Sequence, residues 1–315
     1  MKRADKYILA FESSCDDTSV AVMDDNYRVL VNLISSQPEH IEFGGVLPEL
    51  ASRLHMKNIV HLTRAALIKS QIDKSQISAI AVSINPGLIG SLIVGLAFAK
   101  SYAWSLGVPL ITVNHMLSHI FANYIENHGI KPPFVALVVS GGHTELVHFH
   151  TETEFEIVGK TLDDAAGETF DKTAKLLGLG FPGGPLIDKL SQTGDPAFVD
   201  FPRALKQKLD YNFSYSGLKT AVLTYIKSIS SDHLETHKAD IAASIQAAII
   251  DPLITKSIRY ARLNDINTIL LAGGVAANSS LRTELTQRAS KYGIKVCYPS
   301  LRLCMDNAAM VAAAA

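Results

Sequence analysis

The strongest constraint on this chain is that it opens twice. Tyr7–Ala10 and Ser19–Met23 read as strands around the polar turn Glu12-Ser13-Ser14-Cys15-Asp16-Asp17. The same design returns in FVALVVSGGHTELVHF, residues 134–149, where Val and Leu runs flank Ser140-Gly141-Gly142-His143. A repeat this far apart predicts duplication of a whole lobe, because solenoid units recur every ~20–50 residues. A length of 315 residues also exceeds what one core usually supports, so two related lobes enclosing a cleft are expected.

Between the two openings the pattern alternates. A helix is expected over about 50–70, a strand over Ala79–Ile84, a helix over about 90–105 and a strand over Pro109–Val113; a helix bearing two histidines follows. The second half predicts a helix over Phe170–Leu177, one or two helices over Ala239–Arg262, and a buried strand, Thr268–Leu271, that ends at Gly273-Gly274. Strands alternating with helices imply an α/β protein with mixed sheets and helices outside them. The polar, aromatic stretch 195–220 is expected to form flexible surface loops. The expected division is 1–130 and 131–305, with a helix from about 306 packing back on the first lobe.

Composition narrows the function classes. With 48% hydrophobic and 19% charged residues the chain is compact, not disordered. Lys and Arg total 29 against 30 Asp and Glu, so a nucleic-acid partner would be held by a local basic patch, not by an overall positive field. Cys15, Cys297 and Cys304 match neither a disulfide framework nor a zinc ribbon, which points to a reducing, cytoplasmic setting. Glu12 and two aspartates interrupt the N-terminal apolar stretch, so no export signal is read. The longest apolar run, Leu88–Ala99, falls short of the roughly 20 residues that span a bilayer, and no membrane partner is expected.

Three groups of residues carry candidate chemistry. His115 and His119 sit at i, i+4, which puts both imidazoles on one helix face with Cβ atoms about 6 Å apart. Two ring nitrogens can then share an ion, although eleven histidines also make a chance pair an open alternative. Asn114 is placed to cap this helix, and Asp306, before an Ala-rich helix, reads either as that helix's N-cap or as a third ligand. Gly141-Gly142 and Gly273-Gly274 each follow a strand, the second leading to a helix capped by Asn278 or Ser279. Such turns leave backbone N–H groups free for an anion, and two of them facing each other would suit a nucleotide. Asp171 and Asp188 flank the turn FPGGP and read either as acceptors for substrate hydroxyl and amine hydrogens or as solvated acids. Cys15 has no histidine neighbour in sequence and reads as a small packed residue.

These pieces resemble the TsaD family over the full chain. The resemblance rests on ESSCDDTSVAV at 12–22, GGVLPELASRLH at 44–55, NPGLIGSLIVG at 85–95, HMLSH at 115–119 and VVSGGHTELV at 138–147. It continues in DDAAGETFDKTAKLLGLGFPGGP at 163–185, FSYSGLKT at 213–220, AGGVAANSSLR at 272–282 and CMDNAAM at 304–310. The resemblance implies a two-lobed fold of the actin, Hsp70 and sugar-kinase (ASKHA) group with a duplicated ribonuclease-H-like core. It implies transfer of the threonylcarbamoyl group of threonylcarbamoyl-AMP to N6 of adenosine 37 in tRNAs reading codons that begin with A. By the same resemblance the metal ligands are His115, His119 and Asp306, with Fe2+ favoured and Zn2+ the alternative. Substrate contacts fall on Val138, Val139, Ser140, Gly141, Gly142, Asp171, Gly184, Asp188 and Asn278. Asp16 or Asp17 is the expected base for N6. A paralogous TsaB-like subunit and a TsaE-like P-loop ATPase are the implied partners, besides tRNA and the adenylate. Leu117-Ser118, Asn85 and the ending VAAAA depart from the family pattern.

Two rival readings are a metalloprotease and a nucleotide-dependent scaffold or kinase of the same fold. No glutamate lies between the histidines to serve the first as a base. The second does not explain a His-His-Asp set.

Overall fold

The computed structural model describes residues 6–43 and 45–315. Residues 1–5, part of the segment read for an export signal, and Gly44, the first residue of GGVLPELASRLH, lie outside it. The chain divides into two units, 1–129 with 299–315, and 130–298. Residues 299–305, assigned from the sequence to the second half, are therefore part of the first unit.

The first unit is built on a five-stranded sheet: β1 (Tyr7–Glu12), β2 (Asp17–Asp24), β3 (Val29–Ser36), β4 (Ile77–Asn85) and β5 (Leu110–Asn114), in the order β3-β2-β1-β4-β5. β1 to β3 form an antiparallel meander, and β1, β4 and β5 run parallel. Parallel neighbours need crossovers, which are α1 (Pro48–Ser70) and α2 (Ile89–Leu106); α3 (His115–Glu126) follows β5. Leu9, Phe11, Val20, Val22, Ile80 and Val82 bury one face of the sheet beneath α1 and α2.

The second unit repeats this plan. β6 (Phe134–Val139), β7 (Thr144–Phe149) and β8 (Phe155–Lys160) form the meander. α4 (Ala166–Leu176), α5 (Gly183–Ser191), α6 (Ser216–Ser228), α7 (Ser231–Thr236) and α8 (Lys238–Leu263) then lead to β9 (Thr268–Ala272), and α9 (Ser279–Ser290) leads to β10 (Lys295–Cys297). The order is β10-β9-β6-β7-β8, with β6, β9 and β10 parallel. Strand for strand this is the topology of the first sheet, so the doubled opening reflects a doubled core. The 239–262 region is one helix that carries Pro252 in its interior.

The stretch 195–220 is irregular only as far as Tyr215, and it is anchored. Phe201, Phe213 and Tyr215 are buried, and Asp163 accepts from Tyr215 N at 2.7 Å and Ser214 Oγ at 2.5 Å. The expectation of a flexible loop is corrected by these aromatic anchors, and Ser216 starts α6. Among the described residues two helices, α2 and α8, are long and apolar enough by composition to cross a membrane; 78% of the α8 window is buried inside the protein, as in a core helix. In α2, by contrast, 28% is buried, and Ile89, Ile93 and Trp104 are exposed.

After β10 the chain returns to the first unit through α10 (Leu301–Cys304) and α11 (Ala308–Ala313). Every residue of α11 is buried, packed with Ala10, Ala21, Ala81 and Ala122; such small side chains let the helix approach the sheet face opposite α1 and α2. Asn307 fixes its start. The Oδ1 atom accepts from Met310 N at 3.1 Å and from Asn32 Nδ2 at 3.3 Å, and its Nδ2 donates to Met305 O at 2.7 Å. Asn307, not Asp306, is thus the N-cap, which leaves the Asp306 carboxylate free of that duty. Replacing Asn307 by Ala is expected to destabilise the fold by about 1–2 kcal/mol, the loss of a buried cap, read as a lower midpoint in urea unfolding.

Candidate metal centre and glycine turns

The metal-type residues collect at the carboxyl edge of the first unit's parallel strands, where ligands bind in open α/β sheets. β1 ends in Glu12, β4 brings Ser83, and β5 runs directly into α3, whose first residue is His115. Asn114 caps α3 by accepting from Met116 N at 2.9 Å and Leu117 N at 3.1 Å. Helical spacing then stacks His119 one turn on, with ring centroids 4.7 Å apart. The loop between α10 and α11 delivers Asp306. Its Oδ1 lies 3.4 Å from His115 Nε2 and 3.1 Å from His119 Nε2.

Sequence reasoning missed what stands behind His115. Glu12 is 1% exposed; its Oε2 sits 3.1 Å from His115 Nδ1 and also accepts from Ser83 Oγ, while Oε1 accepts from Ser14 N at 2.6 Å. Ser14 Oγ lies 3.2 Å from the same His115 nitrogen. The available signal was an acid closing an otherwise apolar strand, YILAFE. Burial disfavours charge on His115, yet the carboxylates of Glu12 and then Asp306 outweigh it and hold its pKa well above the ordinary value. Burial likewise works to raise the Glu12 and Asp306 carboxyls, and the facing His115 brings both below the usual range.

This donor set fits a divalent ion. One nitrogen of each imidazole and one carboxylate oxygen lie within 4.8 Å of one another, and the Glu12 contact at Nδ1 leaves His115 Nε2 facing Asp306. Imidazole nitrogens with one carboxylate suit iron or zinc. Cys15 is a poor nucleophile beside it, because burial and then Asp16 push its thiol pKa far up. Asp17 begins β2, half-buried, and its carboxyl is pushed up to about 6 by burial, against a hydrogen bond from Ser36, with Asp306 adding to the rise. Asp16 lies in the turn before it, also half-buried.

The glycine turns lie at the corresponding edge of the second sheet. β6 and β9 are parallel neighbours, with Val138 opposite Ala272, so the turns that leave them are adjacent. Gly273 adopts φ +88°, and a Cβ there would collide with Val139 O, so the close approach of the turns requires glycine. Ser140 N donates to His143 O at 2.8 Å to close the first turn. Gly141 and Gly142 are exposed, beyond the last ladder pair Val139–Thr144, with open space where a Cβ would stand. A short 3-10 turn, Gly274–Ala277, follows β9, and α9 starts after it at Ser279, where the sequence places the cap. Its cap is Asn278, accepting from Leu281 N at 2.8 Å.

Asp171 on α4 accepts from Gly183 N at 2.7 Å, ahead of Gly184 in the first turn of α5. Its pKa is raised by burial, against the backbone bonds from Gly183 and Gly184. Asp188 on α5 uses both oxygens on Ser279, at 2.9 Å to N and 2.9 Å to Oγ. Asn278 Nδ2 donates to Gln246 Oε1 at 2.7 Å. These side chains form linked supports for the turns.

The doubled sheet topology is that of the ASKHA group. Similar folds are HypF from T. kodakarensis, with a TM-score of 0.65, 14% identity, and coverage of 98% of this chain and 47% of that one. Another is the (R)-2-hydroxyglutaryl-CoA dehydratase component A of Acidaminococcus fermentans, with a TM-score of 0.57, 13% identity, and coverage of 98% and 97%. Within that class, the chain belongs to the TsaD family, described as tRNA N6-adenosine threonylcarbamoyltransferase, whose model matches residues 28–313. Relatives of that name from Thermosipho africanus and Clostridioides difficile are 50% and 47% identical, covering 98% and 99% of this chain and 92% of each relative.

The raised pKa of His115 gives a test with a defined sign. A raised His115 pKa favours the protonated imidazole in the metal-free protein, and ligation through a lone pair would displace that proton. Apparent Zn2+ affinity of the chelator-treated protein is expected to rise from pH about 6 to about 8, with about one proton released per ion by calorimetry in two buffers. Glu12→Gln should weaken binding roughly 10–100-fold.

Proposed function

We propose that this protein transfers the threonylcarbamoyl group of threonylcarbamoyl-AMP to N6 of adenosine 37 in tRNAs that read codons beginning with A. The observation that carries this reading is the convergence of His115, His119 and Asp306 in a chain of the TsaD family. In this reading these three residues hold one divalent ion, Fe2+ or Zn2+, which supplies Lewis-acid polarisation and charge stabilisation. Glu12 positions His115 from behind.

The acceptor nitrogen is weak because its lone pair is delocalised into the adenine ring. Attack on the carbamoyl carbonyl forms the N6–C bond, breaks the C–O bond of the mixed anhydride, and releases AMP; the N6 proton passes to a base. Asp17 is the better candidate than Asp16, since a carboxyl at about 6 is matched to work near neutral pH. Val138, Val139, Ser140, Gly141 and Gly142 are assigned to the adenylate, with backbone N–H groups of the turn receiving its phosphate. Asp171, Gly184, Asp188 and Asn278 hold the surrounding turns in shape for it. The target base must leave its stack, as single-stranded RNA recognition requires. The reading includes a paralogous TsaB-like subunit and a TsaE-like P-loop ATPase, and a cytoplasmic location, in keeping with three cysteines that form no disulfide.

Incubation of the metal-loaded protein and these partners with threonine, bicarbonate, ATP, an adenylate synthase and unmodified tRNA should yield N6-threonylcarbamoyladenosine on nucleoside analysis. No such product from a folded complex overturns the assignment. Asp17→Asn is expected to lower kcat about 10²–10⁴-fold and to remove the acidic limb of the pH–rate profile. Normal turnover of the Asp16→Asn, Asp17→Asn double variant would exclude both as the base.

A further inference from the structure

The β7–β8 hairpin carries a second set of metal-type donors that the proposed transfer does not use. In its ladder His148 stands opposite Glu156, and His150 follows two residues on, so strand alternation places all three side chains on one face. One nitrogen of each imidazole and one Glu156 oxygen lie within 4.8 Å of one another. His150 Nε2 is 3.2 Å and His148 Nδ1 is 3.8 Å from Glu156 Oε1, and the two rings are 4.0 Å apart.

Donors bound tetrahedrally at about 2.0–2.2 Å from a first-row ion stand roughly 3.3–3.6 Å from each other. The hairpin spacings bracket that separation. His148 is 7% exposed, and the Nδ1 atom that faces Glu156 also lies 3.1 Å from Tyr260 Oη, whose phenol its ring meets edge-on. His150 and Glu156 are exposed, with side-chain accessibilities of 43% and 58%, and are free to close on an ion. One carboxylate oxygen, Glu156 Oε1, faces both imidazoles, at 3.2 Å from His150 Nε2 and 3.8 Å from His148 Nδ1. A cation gives both rings a common partner.

We propose that His148, His150 and Glu156 form a surface site for one divalent transition-metal ion of the Zn2+ or Co2+ type, distinct from the His115 group. β8 is the edge strand of its sheet, and Phe155, Glu156 and Ile157 are all exposed. A bound ion cross-links this edge to the buried strand β7, and its remaining positions stay open to water.

The test uses untagged, full-length protein stripped with chelator and titrated with Zn2+, with bound metal counted per chain after gel filtration. His150→Ala and Glu156→Gln are each expected to bind one equivalent fewer than the parent protein while keeping its circular dichroism, because both side chains are exposed. His119→Ala, in the other group, should retain the equivalent that His150→Ala loses, so failure of one site is read separately from failure of the other. Co2+ added to the His119→Ala protein should give a visible absorption band that disappears in the His119→Ala, His150→Ala double variant. Unchanged stoichiometry in both His150→Ala and Glu156→Gln overturns the site.

Discussion

Glu12 closes β1 as a carboxylate with almost no exposed surface, a position that is tolerable only where donors surround it. Ser83 from β4, Ser14 from the following turn and His115 from α3 supply those contacts. Each comes from the carboxyl edge of the same sheet, so the strand order β2-β1-β4-β5 is what brings them together. His115 is thereby fixed by one nitrogen and offered by the other. With His119 one turn further and Asp306 opposite, the edge gathers two imidazoles and a carboxylate, a set that fits a cation.

Asp306 reaches this edge only because the chain returns after completing the second unit. The return is held by packing and by one polar residue. The buried small residues of α11 let the helix lie close to the sheet, while Asn307 caps it and binds Asn32 on β3. Ser19 Oγ, from β2, accepts from Ala308 N at 2.8 Å. Glu126, at the end of α3, holds the start of α10 through Ser300 N and Oγ at 2.6 and 2.8 Å. Asp306 is thus clamped on both sides by backbone whose position is set by the first unit itself.

Much of this was legible because it is local. The two strand-turn-strand openings, the crossover helices and the Asn114 cap all follow from periodicity and capping chemistry within a few residues. The spacing of His115 and His119 is a property of one helix. Glu12 was not legible as a partner of His115, since nothing local joins residues that meet only through parallel pairing of β1, β4 and β5. Asp306 and Asn307 are equally good caps by residue type, and the long-range contact of Asn307 to Asn32 is not visible locally. The 195–220 stretch reads as mobile because polar residues dominate it locally. Its order comes from three aromatic side chains inserted into a distant core and from Asp163, some fifty residues earlier, at the head of the loop leading to α4.

The second unit shows how a site can depend on side chains that do not themselves remain free. Asp188 spends both oxygens on Ser279, and Asn278 spends its amide on Leu281 N and Gln246. Asp171 ties the end of FPGGP to α4 through Gly183. Buried or half-buried polar groups engaged in this way would have to exchange existing bonds to contact a ligand, at a cost comparable to the bonds gained. Gly141 and Gly142 have no such obligation: they are exposed, lack side chains, and sit beside a Gly273 whose positive φ keeps the neighbouring turn close. In the proposed reaction, recognition of the phosphate therefore rests on backbone amides. The carboxylates and the amide act by holding those turns in one shape, which favours an anion whose charge matters more than its side-chain contacts.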